Sequence, residues 1–426
     1  MQKKSTADVV KGAVKTFVGF LVLTAGAGVV ESALAPFGEM FQVAFNMQGI
    51  IPNNEAIVAL ALTKYGTVTA LIMLTGMISN IVIARFTKFK YIFLTGHITL
   101  YLSCMVAVIL SVMGFTSGPL ILLGGLVVGI VMTLSPAIVQ PFMRQLTGND
   151  NVALGHFGAV GYALSGYVGK VFGNKEKSTE DINFPKGLGF LRDSTVSIAI
   201  TMAFIYVIVA IFTGGAYIRE NLSGGTNHII FALQQAGSFA AGVFVILAGV
   251  RLILAEIVPA FKGISEKLVP NAKPALDCPV IFPYAPNAVL IGFFSSFLGG
   301  ILSMIIMIFT GGVIILPGVV PHFFCGATAG VIGNASGGLR GAVLGSFIQG
   351  MLISFLPMLL LPVLGDLGFA GSTFSDTDFA ISGLFLGVLG KMGGKTLVVA
   401  GIFAVLAIMI GLTLTSKERK KTVEVN

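Results

Sequence analysis

Charge is what this sequence has least of. Only 10% of its 426 residues are Asp, Glu, Lys or Arg, where a soluble chain carries roughly 25%. Tryptophan is absent, and there are four histidines and three cysteines. That scarcity excludes a soluble globular protein. The 26 basic against 18 acidic residues do not make a nucleic-acid binder either, because the positives fall in a few short loops, the pattern of cytoplasmic loops in membrane proteins. Cys104, Cys278 and Cys325 lie within apolar runs without metal or redox spacing and read as small packing residues. The histidines (His97, His156, His228, His322) are far apart and read as interior groups, His156 excepted because of its surroundings. H-E-x-x-H, Walker and G-x-S-x-G patterns are missing, and G-L-G-F-L (187–191) is no dinucleotide fingerprint. No catalytic set, metal site or cofactor is expected.

What is present is apolar length. Hydrophobic residues make up 55% of the chain and mean hydropathy is +0.95, which reads as an all-α integral membrane protein. The runs predict about ten membrane spans, near 14–34, 56–84, 91–113, 119–139, 195–213, 228–257, 286–309, 312–333, 341–364 and 395–414. The first is too long for a cleavable signal peptide and is expected to stop at Ala35-Pro36-Phe37. Lys3, Lys4, Lys11 and Lys15 precede it and K-E-R-K-K (417–421) follows the last, placing both termini in the cytoplasm. The glycine-rich stretch 155–170 leads into the charged segment Lys170 to Asp193, so it leaves and re-enters the cytoplasmic side as a re-entrant hairpin.

The chain also repeats itself. At a shift of 223 residues Gly19 meets Gly242, Gly26 meets Gly249, Pro36 meets Pro259 and Phe86-Thr87 meets Phe309-Thr310. At 221, Pro136 meets Pro357, and Gly166, Gly169 and Lys170 meet Gly387, Gly390 and Lys391. Two halves are therefore expected, 1–222 and 223–426. Each would have five spans and a hairpin, at about 152–172 and about 372–391. An odd number of spans makes the halves inverted, as in many secondary transporters.

Polar residues sit where helices should break. Asp277 lies among Pro274, Pro279, Pro283 and Pro286. It reads either as an ordinary helix N-cap or, at membrane depth, as a functional group. The repeat places Asn54, within P-N-N-E (52–55), at the matching position. Asp376 and Asp378 read as solvated loop charges beside the second hairpin.

The motifs L-T-G-H-I (94–98), the hairpin opening at G-H (155–156), G-V-R-L-I-L-A-E (249–256), L-D-C-P-V-I-F-P-Y-A-P-N-A-V (276–289) and I-L-P-G-V-V-P-H-F-F (315–324) give the chain a likeness. It resembles the ascorbate-type IIC permease of the bacterial phosphoenolpyruvate-dependent phosphotransferase system. That resemblance implies a homodimer in the bacterial inner membrane whose core moves elevator-fashion. It also implies a small polar solute such as L-ascorbate or a related sugar acid, and cytoplasmic partners: a IIB protein carrying phosphocysteine and the IIA protein that charges it. The permease itself would not be the enzyme. Family members usually open with one further span, and this sequence starts after it. Expected solute contacts are Asn54, Glu55, Tyr101, His156, Phe157 and Asp277. His156 and Asp277 match the family pattern; Tyr101 and Phe157 stand where the ascorbate type has glutamines, and Glu55 where it has tyrosine. The alternative reading is an ion-coupled elevator transporter without phosphorylation, using Asp277 and Glu55.

Overall fold

The computed structural model describes residues 5–46, 49–182, 194–311, 313–369 and 371–425. The expected basic positions Lys3 and Lys4, and the charged tract beyond residue 182, lie outside them. In chain order the main elements are α1 (Thr6–Phe45), β1 (Gly49–Pro52), α2 (Asn54–Phe86), β2 (Tyr91–Phe93), α3 (Gly96–Val112), α4 (Ser117–Thr147), β3 (Ala153–Leu154) and α5 (Ala159–Phe172). The second half continues with α6 (Ser194–Thr213), α7 (Gly215–Tyr217), α8 (His228–Leu268), β4 (Lys273–Leu276), α9 (Pro286–Thr310), β5 (Ile314–Ile315), α10 (Val319–Leu360), β6 (Ser372–Thr373) and α11 (Thr377–Val425). Among the described residues six helices are long and apolar enough to cross a membrane, or seven if the bent pair around Gly214 is one span. Their outer faces expose large apolar side chains such as Phe204, Phe309 and Met392, a surface suited to lipid and unsuited to water.

The first helix does not stop at Pro36. It runs on to Phe45 with the proline inside it. Proline removes a backbone donor from the helix interior, and the Tyr206 hydroxyl of α6 donates to Ala33 O at 2.9 Å beside the break.

Two of the longest helices are sharply folded. Within α10, Gly337 (φ −154°, ψ 22°) and Gly338 (φ 61°, ψ −154°) break the helix. The Ser346 hydroxyl then donates back to Gly326 O at 3.0 Å, so the two arms lie antiparallel. The same turn recurs in α11 at Gly393 (φ −150°, ψ 20°) and Gly394 (φ 60°, ψ −153°), where Leu389 folds over Gly401. The arm from Thr377 to this turn and the 14-residue α5 are each about 20–25 Å long at 1.5 Å per residue, short of the ~30 Å hydrocarbon core. They occupy the stretches where the hairpins are expected.

A purely helical reading lacks two small sheets. One has the order β5-β1-β6 and the other β2-β4-β3, with every pairing parallel. Gly49 and Ile50 pair with Ile314 and Ile315, and Ile51 and Pro52 with Ser372 and Thr373. In the other sheet Lys273, Pro274 and Ala275 pair with Tyr91, Ile92 and Phe93, and Ala275 and Leu276 with Ala153 and Leu154. Each central strand thus passes from one neighbour to the other along its length, Ala275 facing both. Irregular backbone at membrane depth must find partners inside the protein, and these strands supply them.

Apolar cores surround the sheets. One joins α2, α3, α4 and α11 through residues such as Ile72, Leu102, Val128 and Leu386. A second joins α1, α6 and α8 to α9 and α10 through Phe37, Tyr206, Phe239, Phe293 and Phe323.

The paired turns generate a prediction. Both second glycines occupy a region essentially restricted to glycine, where an L side chain costs about 1–3 kcal/mol. A methyl at position 338 would also meet the carbonyls of Asn174 and Lys177, whereas position 394 has open space around it. Gly338→Ala should therefore lower the thermal unfolding midpoint in detergent more than Gly394→Ala does. Equal shifts would contradict the packing assigned to the first turn.

Candidate functional site

Because all strands in each sheet are parallel, each sheet has its three C-terminal ends on one side. The residues that follow those ends converge on a single cavity of about 320 Å³. Asn54 and Glu55 follow β1, His97 follows β2 and His156 follows β3. Asp277 follows β4, and Ser375 and Asp376 follow β6. Arg251 from α8 and Phe324 and Cys325 from α10 complete the lining used below.

Hydrogen bonds tie together the segments that leave β1 and β6, neighbours in one sheet. The Asn54 amide donates to Asp376 Oδ1 at 3.0 Å, and Ser375 N donates to Asn54 Oδ1 at 3.0 Å. The Ser375 hydroxyl also donates to Asp376 Oδ1 at 2.7 Å. The cap of α2 is Asn53 rather than Asn54, accepting from Ala56 N at 2.8 Å. Asp277 is a cap, as one of its two expected readings has it, and it also lines the cavity. Its Oδ1 caps a short 3-10 turn by accepting from Cys278 N at 2.7 Å, and its Oδ2 lies 3.4 Å from His97 Nε2 in the cavity. His156 Nε2 lies 3.7 Å from Asp376 Oδ2, and its Nδ1 lies 2.7 Å from the Tyr162 hydroxyl.

Asp376 and Asp378 are not solvated loop charges. They are 1% and 4% exposed. Asp378 accepts from the Ser135 hydroxyl (2.6 Å), Ala159 N (3.1 Å) and Val160 N (3.0 Å), so it caps α5, whose own Gly158 offers no side chain. Its N–H donates to Phe157 O at 2.7 Å. The tips of the two short helical arms are thereby locked to each other. Glu180 does the same for α9, accepting from Asn287 N (2.9 Å) and Ala288 N (3.1 Å) where Ala285 cannot cap. Carboxylates at helix N-termini are favoured by both the free N–H groups and the helix dipole.

Four of the six residues expected from the sequence line the cavity: Asn54, Glu55, His156 and Asp277. Two do not. Tyr101 is fully buried behind the wall with its ring edge-on to His97 at 5.8 Å. Phe157 is fully buried, stacked on Phe93 at 4.6 Å and tilted against Phe379 at 5.5 Å. The chain turns at Gly158, so successive side chains point to opposite sides and the ring beside His156 faces the core. Sequence reasoning missed His97, Arg251, Cys325, Ser375 and Asp376. The usable signal was spacing, and only for His97, which lies a few residues beyond Tyr91-Ile92-Phe93 as His156 does beyond Ala153-Leu154. The stretch before Asp376, Ser372-Thr373-Phe374-Ser375, is mostly polar and carries no such signal. Three isolated positions (His156, Cys325 and Asp376) also meet in space although their sequence spacing gives no metal set.

Two acceptors in the wall have no hydrogen-bond partner, Glu55 Oε2 and Asp376 Oδ2. Buried acceptors of this kind cost about 1–3 kcal/mol each when left unpaired. Asp376→Asn should keep an acceptor for Asn54 and Ser375. Asp376→Ala should leave two buried donors unpaired and destabilise the fold by about 1–3 kcal/mol for each. Unfolding midpoints in detergent that fall equally in both variants would contradict this network.

The chain matches, over residues 1–378, the family described as the PTS system sugar-specific permease component, EIIC-GAT. It is also similar to the ascorbate-specific PTS system EIIC component of Mycoplasma pneumoniae, with 27% identity over 80% of this chain and 60% of that relative. The chain thus spans less than two thirds of the curated relative's length. The family is one of permease components, as the motifs around His97, His156 and Asp277 imply. Together with the apolar helices and the enclosed polar cavity, this match establishes that the chain is a multi-pass membrane protein belonging to the sugar-specific permease component family of the phosphotransferase system.

Proposed function

We propose that this chain is the membrane-spanning IIC permease of a bacterial phosphotransferase system. In this reading it binds a small polar solute of the sugar-acid class, with L-ascorbate first, and delivers it to a cytoplasmic IIB protein for phosphorylation. The observation that carries the proposal is the cavity into which strands from both halves lead, walled by carboxylates and imidazoles with Glu55 Oε2 and Asp376 Oδ2 unpartnered. A sugar acid brings several hydroxyl donors, the complement of such a wall. Arg251 supplies a cation for its acidic end.

The two-fold reading of the chain, 1–222 and 223–426, is supported by the strand exchange. Assigning β1, β2 and β3 to one unit and β4, β5 and β6 to the other, each unit's first strand pairs with the second and third strands of its counterpart, in matching register. The turn that opens at Gly337 also falls 223 residues after the turn at Gly114, since 337 − 114 = 223. Counting the arms of α10 and the second arm of α11 separately, ten helices would correspond to the ten expected spans. We propose that they form two inverted units, that both termini face the cytoplasm, and that a homodimer works by an elevator motion. The α1, α6 and α8 group would be its fixed part.

Solute contacts are assigned to Asn54, Glu55, His97, His156, Asp277 and Asp376. Phe157 faces the core, so Phe157→Gln should bury an amide without partners and lower the unfolding midpoint, not improve affinity. Asp277 tests the site. If its charge accepts solute hydroxyls, Asp277→Asn should weaken L-ascorbate binding roughly tenfold or more, from hydrogen bonds worth about 1.5–3 kcal/mol. Fold stability should hold, since Asn caps nearly as well. Calorimetry on the purified protein showing wild-type affinity in the variant would remove Asp277 from the site. Uptake into proteoliposomes that requires a proton gradient and yields unphosphorylated solute would favour the ion-coupled reading instead.

A further inference from the structure

We propose that His156, Cys325 and Asp376 form a binding site for a borderline-soft divalent cation of the zinc class. The imidazole, thiol and carboxylate ligand atoms of these residues all lie within 4.8 Å of one another, and all three residues are buried. They come from three separate segments: the turn before α5, the first arm of α10 and the turn before α11. Nitrogen, sulfur and oxygen donors together suit zinc rather than magnesium or calcium, which take oxygen ligands.

The geometry is close to what such an ion needs. Tetrahedral zinc with bonds of about 2.0–2.3 Å sets neighbouring ligand atoms roughly 3.3–3.8 Å apart. His156 Nε2 and Asp376 Oδ2 already stand 3.7 Å apart without being hydrogen-bonded. Asp376 Oδ2 accepts no hydrogen bond, while Oδ1 is held by Asn54 and Ser375. The orphan oxygen is thus aimed by a second layer of hydrogen bonds, as metal ligands commonly are. His156 is oriented likewise. With Nδ1 donating to the Tyr162 hydroxyl at 2.7 Å, Nε2 presents its lone pair to the site. Cys325 lines the cavity, as does Asp277, whose side chain is 31% exposed. Three protein ligands leave the fourth position open towards the cavity.

On binding, the sulfur–metal bond replaces the S–H bond, and the Cys325 proton leaves to solvent. A competing trio of His156, Asp277 and Cys278 is also close enough to be considered. It is the poorer set, because Asp277 Oδ1 is committed to Cys278 N and Cys278 Sγ lies 3.7 Å from the Tyr162 hydroxyl that supports His156. A corollary rests on the proposed solute function: an ion here occupies the carboxylate and imidazole assigned to the solute, so zinc and solute exclude each other and zinc inhibits transport.

Cobalt(II) tests the site without any solute, so its outcome is separate from the fate of the transport reading. Purified protein titrated with Co²⁺ should develop a near-ultraviolet thiolate-to-cobalt charge-transfer band with tetrahedral d–d absorption, reversed by Zn²⁺. A Cys104→Ser, Cys278→Ser variant, in which Cys325 is the only thiol, should keep the band. Cys325→Ser should lose it, with affinity at least tenfold weaker, and Asp376→Asn should weaken binding while the protein stays monodisperse. No band in the wild-type protein at saturating Co²⁺ would overturn the proposal. So would loss of the band in the variant that retains only Cys325, a result that, with a band in wild type, assigns the ion to the Cys278 trio.

Discussion

Everything in this structure depends on one constraint: backbone that is not helical cannot be left unpaired inside a membrane. A solute path needs helices that stop short of crossing, because only interrupted helices deliver polar groups to the interior. The chain meets both demands with two three-stranded parallel sheets. Each strand is at most four residues long, too short to stand alone. Pairing across the chain supplies partners for their N–H and C=O groups along the shared edges and sets the ends of the two sheets beside the same cavity. The sheets are therefore the frame of the site as well as the remedy for broken backbone.

Charge is economised in the same way. Of the few carboxylates the chain carries, Asp378 and Glu180 hold helix N-termini contributed by distant segments. Asp277 divides its two oxygens between a cap and the cavity. Asp376 gives one oxygen to structure and leaves the other open. A buried carboxylate is tolerable only where hydrogen bonds offset its lost hydration, and the two buried ones, Asp376 and Asp378, each accept more than one. The open oxygens are then the exceptions, and exceptions in a well-satisfied interior are where ligands act.

The coarse architecture was legible because lipid imposes a strong signal. Long apolar runs and basic loops mark helices and their ends, and the glycine pairs at 337–338 and 393–394 coincide with expected breaks. Asp277 and His156 stood out as polar groups in apolar surroundings and do line the cavity. The sheets were not legible, because a strand such as Ile314–Ile315 has no pattern of its own and owes its existence to Gly49 and Ile50, 265 residues away by 314 − 49. Asp376 was misread for the same reason: its partner, Asn54, lies in the other half of the chain. Phe157 was misread because adjacency in sequence to His156 says nothing about which side of a turn a ring takes. Pro36 misled as a stop signal because the helix continues through it, with Phe37 and Phe41 beyond the proline buried in the core that joins α1 to α6.

The central claim is that the cavity at the ends of the two sheets is where the solute sits. A cryo-electron microscopy structure of the purified protein with L-ascorbate tests it most directly. The account predicts solute density between the ends of β1 and β4, within hydrogen-bond distance of Asp277, Asp376 and His156. Solute density elsewhere, for instance in the apolar groove between Phe37 and Met202, with this cavity left to water, would contradict it.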